Sequence, residues 1–328
     1  MNGTSASAPT TSQAVVIPPL SGDDVLVGTV LVLLGIFGLA SHLIEILVLL
    51  KAQFLKRYVG FRFIMASNLA DIINIFYQGI WAGLVILTRH ILLPLEWKPW
   101  LAIFPDTAWF AMLYMSALIA ITRLVCVAWP MKYRQLTSKA SDLMCLVVWI
   151  ICVAQTVYLH NSNWYELFWL DPCCWGLAGD IDAFVNNGSS LFYSILYATT
   201  LSISMVCYLI TAGLLIYRRK NSLAGSQQEV SSTEIRLIIP CFVSSALLTS
   251  CRLITDVVVW SKWKDFVLMV IYGIQSAAPP VLRIAFSPRL RHDILKMLGF
   301  NVQGMTLFST SNKVAPSSSS QQTGGNNR

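Results

Sequence analysis

The chain has 328 residues, of which 55% are hydrophobic and only 12% charged, against roughly 25% charged in an ordinary soluble domain. That balance excludes a cytosolic enzyme. The four histidines His42, His90, His160 and His292 are too scattered for a grouped metal site, and eight cysteines do not make a disulfide scaffold at this length. What remains is a polytopic membrane protein.

A bilayer core of about 30 Å needs roughly 20 helical residues at about 1.5 Å each. Stretches free of Lys, Arg, Asp and Glu recur seven times and, with polar residues admitted at their ends, predict helices at about 25–50, 61–88, 101–128, 142–160, 191–217, 235–260 and 265–286. A spanning backbone has no water to bond, so it closes into helices or a barrel, and the short alternating segments of a barrel are missing. The expected fold is an all-α membrane protein, a seven-transmembrane helix bundle. Residues 1–22, rich in Ser, Thr, Ala and Pro, and 301–328, rich in Ser, Thr, Gln, Gly and Asn, are expected to be disordered. They flank a helical domain at 23–300. Within it 288–299 reads as a short amphipathic helix, with Leu290, Ile294, Met297 and Leu298 on one face and Arg291, His292, Asp293 and Lys296 largely away from it, suited to the membrane surface.

Basic residues set the orientation. With the N-terminus outside, the inner segments hold eighteen: Lys51, Lys56, Arg57, Arg62, Arg123, Lys132, Arg134, Lys139, Arg218, Arg219, Lys220, Arg236, Arg283, Arg289, Arg291, Lys296, Lys313 and Arg328. The outer side holds four, Arg89, Lys98, Lys262 and Lys264. The net charge of +7 is therefore a topology signal rather than a nucleic-acid footprint. Two sequons, at Asn2 and Asn187, fall on the side so assigned as outer, where glycosylation occurs.

Ionisable residues inside spans are costly and are functional candidates by default. They are His42 and Glu45 in span one, for which the sequence offers no partner, Asp71 in span two, Asp106 near the outer start of span three, Arg123 at its inner end, and Arg252 with Asp256 in span six. Arg252 and Asp256 are four apart and share a helix face, either as a self-neutralising pair or as ligand contacts. Asp106, one residue after Pro105, is either interfacial or a ligand anchor.

The stretch Ala120-Ile121-Thr122-Arg123-Leu124-Val125-Cys126-Val127-Ala128-Trp129-Pro130-Met131-Lys132-Tyr133 resembles the inner end of span three in rhodopsin-like G-protein-coupled receptors, in the spacing from Arg123 to Pro130 and in the trailing Lys132-Tyr133. Asn68-Leu69-Ala70-Asp71 resembles the family's span-two signature, Trp149 its span-four tryptophan, Tyr208 its span-five tyrosine, and Pro280 to Arg291 the stretch that ends span seven. Five matches stand in the right order. The departures are Thr122 for the acid before the arginine, Leu124 for the following tyrosine, Pro279 and Arg283 for the span-seven asparagine and tyrosine, and the lack of any cysteine before Cys126. The usual tether from span three to the second outer loop therefore cannot form. This degenerate pattern is similar to the nematode chemosensory serpentine receptors of the Srx or Srsx type.

The resemblance implies a chemosensory receptor in the plasma membrane, the sensory cilium included. A ligand opens the inner face to the C-terminal helix of a Gα subunit of a heterotrimeric G protein. Arg123 would contact that helix, Tyr208 would stabilise the open state, and Thr122, Pro130 and Tyr133 belong to the same motif. Asp71 would be the mid-membrane acid, without its family partners in span seven. The replacement of the restraining acid by Thr122 predicts appreciable basal signalling. Asp106, Trp109, Arg252, Asp256, Tyr272 and Gln275 are the candidate ligand pocket, mostly apolar with a few polar anchors. The long outer loop 161–190 carries Glu166, Asp171, Asp180 and Asp182 and no Lys or Arg, so the expected ligand is a small molecule or a short cationic peptide. Cys173 and Cys174 in that loop have three readings: a vicinal disulfide, a bridge between chains, or free thiols. Tail residues Ser309, Thr310, Ser311 and Ser317 to Ser320 suit a receptor kinase and arrestin, and membrane lipids surround the bundle. Neither enzyme activity, cofactor, metal nor nucleic acid is implied. The rival is a solute transporter or channel using Glu45, Asp71, Arg252 and Asp256, which would leave the Arg123 to Tyr133 motif without a reason.

Overall fold

A computed structural model describes residues 19–90, 94, 97–171, 175–221, 242–243, 246–247, 249–250, 261–297 and 299. Among them six helices are long and apolar enough to cross a membrane. Span one is Gly22–Lys51, span three Lys98–Ala128, span four Ser138–His160 and span five Ser189–Asn221. Span two runs Gly60–Thr88, with a π-helical turn at Phe76–Trp81, and span seven is Lys262–Phe286. The chain is a multi-pass membrane protein with an all-α bundle fold. The predicted span at 235–260 lies outside the described residues except at a few positions.

Where the helices begin earlier than hydropathy predicts, a capping side chain explains it. Thr137 accepts a bond from the Ala140 amide and starts span four at Ser138 rather than 142. Ser261 does the same for the Lys264 amide and starts span seven at Lys262. At the head of span one Ser21 and Asp24 form a reciprocal capping box. Each satisfies amide donors that the first helical turn leaves open.

Span three is the most enclosed, with Phe110, Ala111, Leu113, Met115 and Ala120 buried. It packs on spans two, four and five. Span four shows the inverse pattern: Leu143, Leu146, Ile150 and Val157 are exposed, while Cys145, Cys152, Thr156 and Leu159 recur on one buried face. A helix apolar all round, with its smaller residues turned inward, is one that lipid covers.

Spans one and two approach through glycine. A Cβ added to Gly83 would meet the Gly28 carbonyl oxygen at 2.6 Å, and one added to Gly79, in the π turn, would meet the Gly35 Cα at 2.7 Å. Lipid tails are as apolar as leucine, so close backbone packing of this kind is what holds such helices together.

The short helix Pro288–Met297 follows span seven after a break at Ser287. Its Leu290 is buried against Val48, Leu49, Phe54 and Ile64, with Ile294 and Met297 beside it, while Arg291, His292 and Lys296 are exposed. The predicted amphipathic face is thus docked on the feet of spans one and two. The long loop holds elements with no counterpart in the predicted ones. The loop 161–190 carries an antiparallel pair of two-residue strands, β1 at Trp169–Leu170 and β2 at Leu177–Ala178. It also carries a short helix at Ile181–Asn186, capped by Asp180.

Gly83→Leu is expected to force spans one and two apart and to lower stability by about 1–3 kcal/mol, measured by thermal unfolding in detergent. Gly213→Leu in span five, where an added Cβ meets nothing within 4 Å, is the control and leaves the unfolding temperature unchanged. Equal effects of the two substitutions would contradict this packing.

Candidate functional site

Three groups of polar side chains stand along the bundle, one at each end and one between. The end that carries the basic loops is called here the basic end, and the other the acidic end.

At the basic end the last turns of span three present Arg123, 8% exposed. A Cβ built on Gly60, the first residue of span two, would lie 3.4 Å from both Nη1 and Nη2 of Arg123 and 3.2 Å from the Tyr133 hydroxyl oxygen. The absence of a side chain at Gly60 therefore leaves room for the guanidinium and the phenol to meet there. Tyr133 reaches this point because span three stops at Trp129 and Pro130 opens a new helix, Pro130–Arg134, where its missing N–H costs nothing. Thr122 is buried and turns its hydroxyl back onto the Ile119 carbonyl at 2.9 Å. Tyr208 of span five is buried against Ala120 and Leu124, on either side of Arg123 along the helix. The four motif residues and Tyr208 thus gather at one end of the bundle. Close by, Arg62 donates to the Leu55 carbonyl at 2.9 Å and pairs with Asp142, tying span two to span four.

Between these ends, and nearer the basic one, Glu45 and Arg283 meet. Arg283 gives Nε to Glu45 Oε1 at 2.6 Å and Nη2 to Oε2 at 2.7 Å, and Nη2 also reaches Asn68 Oδ1 at 2.5 Å. Asn68 returns its amide to Glu45 Oε2 at 2.8 Å. Spans one, two and seven are joined at this point. His42, one turn from Glu45, donates Nε2–H to the Ser276 carbonyl at 2.7 Å. Asp71 is buried within electrostatic reach of both Arg283 and Glu45. The sequence offered Glu45 and His42 no partner; the structure gives each one on span seven, Arg283 and the Ser276 carbonyl, and Arg283, in the last turn of that helix, is buried with 4% exposure.

At the acidic end Asp106 is neither simply interfacial nor isolated. Its Oδ2 accepts from His160 Nε2 at 2.8 Å and from the Tyr165 hydroxyl at 3.3 Å. Tyr165 shares a further hydrogen bond with Tyr193. Spans three, four and five and the long loop meet in this network. Burial first, and then the charge of Asp106, push the Tyr165 phenol above its ordinary range, so it stays a donor. One turn further along span three, Trp109 stands edge-on to Tyr272 at 4.9 Å and to Tyr197 at 6.0 Å. Gln275 donates to the Met112 sulfur at 3.2 Å. Trp109, Tyr272 and Gln275, chosen from sequence as pocket liners, thus come to one side of span three, with Asp106 near. Arg252, Asp256, Cys173, Cys174 and Asn2 lie outside the described residues. Asn187 is exposed ahead of span five, beside Gly188 with φ +96°.

The hairpin is held over this end. Trp175 donates Nε1–H to Asp24 Oδ1 at 2.7 Å, and Arg89 pairs with the other oxygen. Leu170 and Trp175 are buried against Val27, Leu31, Ala82, Val85, Ile86 and Met269, and Trp175 meets Trp263 edge-on at 4.7 Å. The loop is thus anchored at points other than the missing cysteine tether. Sequence reasoning missed Trp175, Arg89, His160, Tyr165 and Tyr193. For Tyr165 and Trp175 the only signal was a density of aromatics in the loop.

The crystal structure of squid rhodopsin is similar in fold, with a TM-score of 0.69 at 13% sequence identity, over 86% of this chain and 87% of that one. No family model matches the sequence, and no curated protein matches it. The architecture is accordingly the seven-helix bundle of rhodopsin type, a likeness of backbone arrangement at an identity too low to carry function.

Asp24→Asn is expected to loosen the hairpin locally. Amide exchange across residues 169–178 should speed by about tenfold or more while the rest of the bundle keeps its protection. Unchanged exchange in that segment would show that the Asp24 contacts do not hold it.

Proposed function

We propose that this chain is a chemosensory G-protein-coupled receptor. It takes a small molecule at the acidic end, faced outward, and acts on a heterotrimeric G protein at the basic end. The observation that carries the reading is the placement of Arg123: an enclosed guanidinium at the foot of the central helix, beside the Tyr133 hydroxyl and over a glycine, in a bundle of rhodopsin type. An arginine suits the post because it stays charged and its planar fork bonds carbonyls, which the last turn of an incoming helix leaves open. Span six swings from span three in the active state, and Tyr208, packed one turn from Arg123, steadies it there. No acid precedes Arg123, and Thr122 spends its hydroxyl on its own helix, so the resting state is weakly restrained and basal signalling is appreciable. Receptor kinase and arrestin act on the Ser/Thr tail, and Asn2 and Asn187 carry glycans, in a plasma-membrane protein with its N-terminus outside.

The rival transporter reading loses support between the two ends of the bundle. Glu45, needed to line a path, is fully enclosed and occupied by Arg283 and Asn68.

The test is guanine-nucleotide exchange on a panel of Gα subunits in membranes holding the full chain. Arg123→Ala at matched surface expression is expected to cut exchange at least tenfold, and Thr122→Asp to lower basal exchange while sparing the stimulated rate. Exchange that survives Arg123→Ala, or absence of exchange across the panel with substrate flux in its place, would overturn the proposal.

A further inference from the structure

We propose that the acidic end holds a socket for a neutral indole, filled in this structure by the chain's own Trp175. The proposal deepens the receptor reading by naming a ligand class, and only its signalling consequence rests on that reading.

The socket is defined by how Trp175 is received. This loop residue is 5% exposed, and its hydrogen-bond partner Asp24 lies 151 residues away, at the head of span one. The indole N–H goes to Asp24 Oδ1 at 2.7 Å. The ring shares an apolar cluster with Val27 and Leu31 of span one, Val85 and Ile86 of span two and Met269 of span seven. Trp263 meets it edge-on at 4.7 Å. An indole has one donor and a flat apolar body, and both are matched.

Charge narrows the class. Asp24 is 1% exposed, and its other oxygen takes the Ser21 amide at 2.8 Å, the Ser21 hydroxyl at 2.6 Å and the Arg89 guanidinium. Arg89 therefore balances the carboxylate, and what Oδ1 receives is a neutral donor. A second cation would compete with Arg89, and an anion would face a buried carboxylate. A ligand without an N–H would leave Oδ1 enclosed and unpaired, which is costly.

The hairpin that delivers Trp175 is a separable occupant. Its strands pair over only two residues each, and a two-stranded ribbon of that size is not stable alone. Its seat is the burial of Leu170 and Trp175, with Gly176 pressed so close to span seven that a Cβ there would stand 2.9 Å from that of Asp265. Arg89 holds φ +53°, a left-handed backbone that a non-glycine residue keeps only when its contacts hold it. A free indole that takes the place of Trp175 thus leaves the hairpin resting on Leu170, and the hairpin lifts from spans one, two and seven. A tethered side chain competes at an effective concentration of about millimolar, which sets the range in which free indole acts on the native chain.

The experiment uses the full chain in nanodiscs, with empty nanodiscs as the blank, read by thermal shift and by amide exchange. The probes are indole and its isostere benzofuran, which carries an oxygen in place of the N–H. Trp175→Ala is expected to bind indole saturably, about tenfold or more tighter than it binds benzofuran and about tenfold or more tighter than the native chain binds indole. In the native chain millimolar indole, but not benzofuran, should speed exchange across residues 169–178 by about fivefold or more. If Trp175→Ala fails to fold, the exchange of the native chain with the two probes decides. Indole bound by folded Trp175→Ala no tighter than benzofuran, or hairpin exchange in the native chain unmoved by indole up to its solubility, would overturn the proposal. Indole-dependent loosening of the hairpin without exchange on any Gα subunit would sink the receptor reading and leave the socket standing. Gα exchange that responds to other compounds, with the hairpin indifferent to indole, would do the reverse.

Discussion

The bundle depends on a pair of opposite charges placed where neither could stay alone. Moving one ion into an apolar interior costs several kcal/mol even after relaxation, and a buried pair recovers this only with good geometry and with its remaining polar atoms satisfied. Glu45 and Arg283 meet both conditions. Two donors of the guanidinium fall on two carboxylate oxygens, and Asn68 bonds both partners. The result is a joint between spans one, two and seven, in the stretch of span seven where Pro279 and Pro280 remove two backbone donors. With His42 on the Ser276 carbonyl one turn away, span seven is tied to span one by side chains where its own ladder is weakest.

That joint divides the molecule. Toward the acidic end the contacts are aromatic and adjustable: Trp109 against Tyr197 and Tyr272, Tyr165 against Tyr193, and a hairpin resting on Asp24. Toward the basic end they are small and close: Gly60 beneath Arg123, and Ala120 and Leu124 against Tyr208. The two sets are joined by the helices that run between the ends, and span three, central and carrying Asp106 and Arg123 seventeen residues apart, bears on both. A π turn in span two beside the Gly35 contact is a place where such a helix shifts at small cost.

Much of this was legible beforehand. Runs such as Val25 to Ile44 cannot be anything but a span, and residues of the Arg123 to Tyr133 stretch do come together at the basic end, Arg123 and Tyr133 both facing Gly60. Trp109, Tyr272 and Gln275 were nameable as polar or aromatic residues in the acidic-end halves of spans three and seven, and Trp109 does meet Tyr272 there. Other features were not legible, for identifiable reasons. Glu45 and Arg283 are 238 residues apart, and no local rule joins them. Arg283 also sits where a positive-inside count absorbs it as one more inner arginine. The Asp106 network needs His160 and Tyr165, which belong to a helix end and a loop whose path depends on tertiary contacts. The two-residue strands at Trp169 and Leu177 are too short to leave a period. Tertiary pairing of polar groups, rather than the placement of helices, is what the sequence conceals.

The most direct test of this account is a double-mutant cycle on the central pair, Glu45→Leu and Arg283→Leu singly and together, followed by equilibrium unfolding in bicelles. The account predicts that either single substitution, by stranding a buried charge, destabilises the chain by about 3–5 kcal/mol. The double substitution should cost less than either single one, giving a coupling well above the few tenths expected of independent sites. Effects that simply add would mean that the two side chains do not meet in the bundle, and would remove the joint on which the rest of the structure is argued to depend.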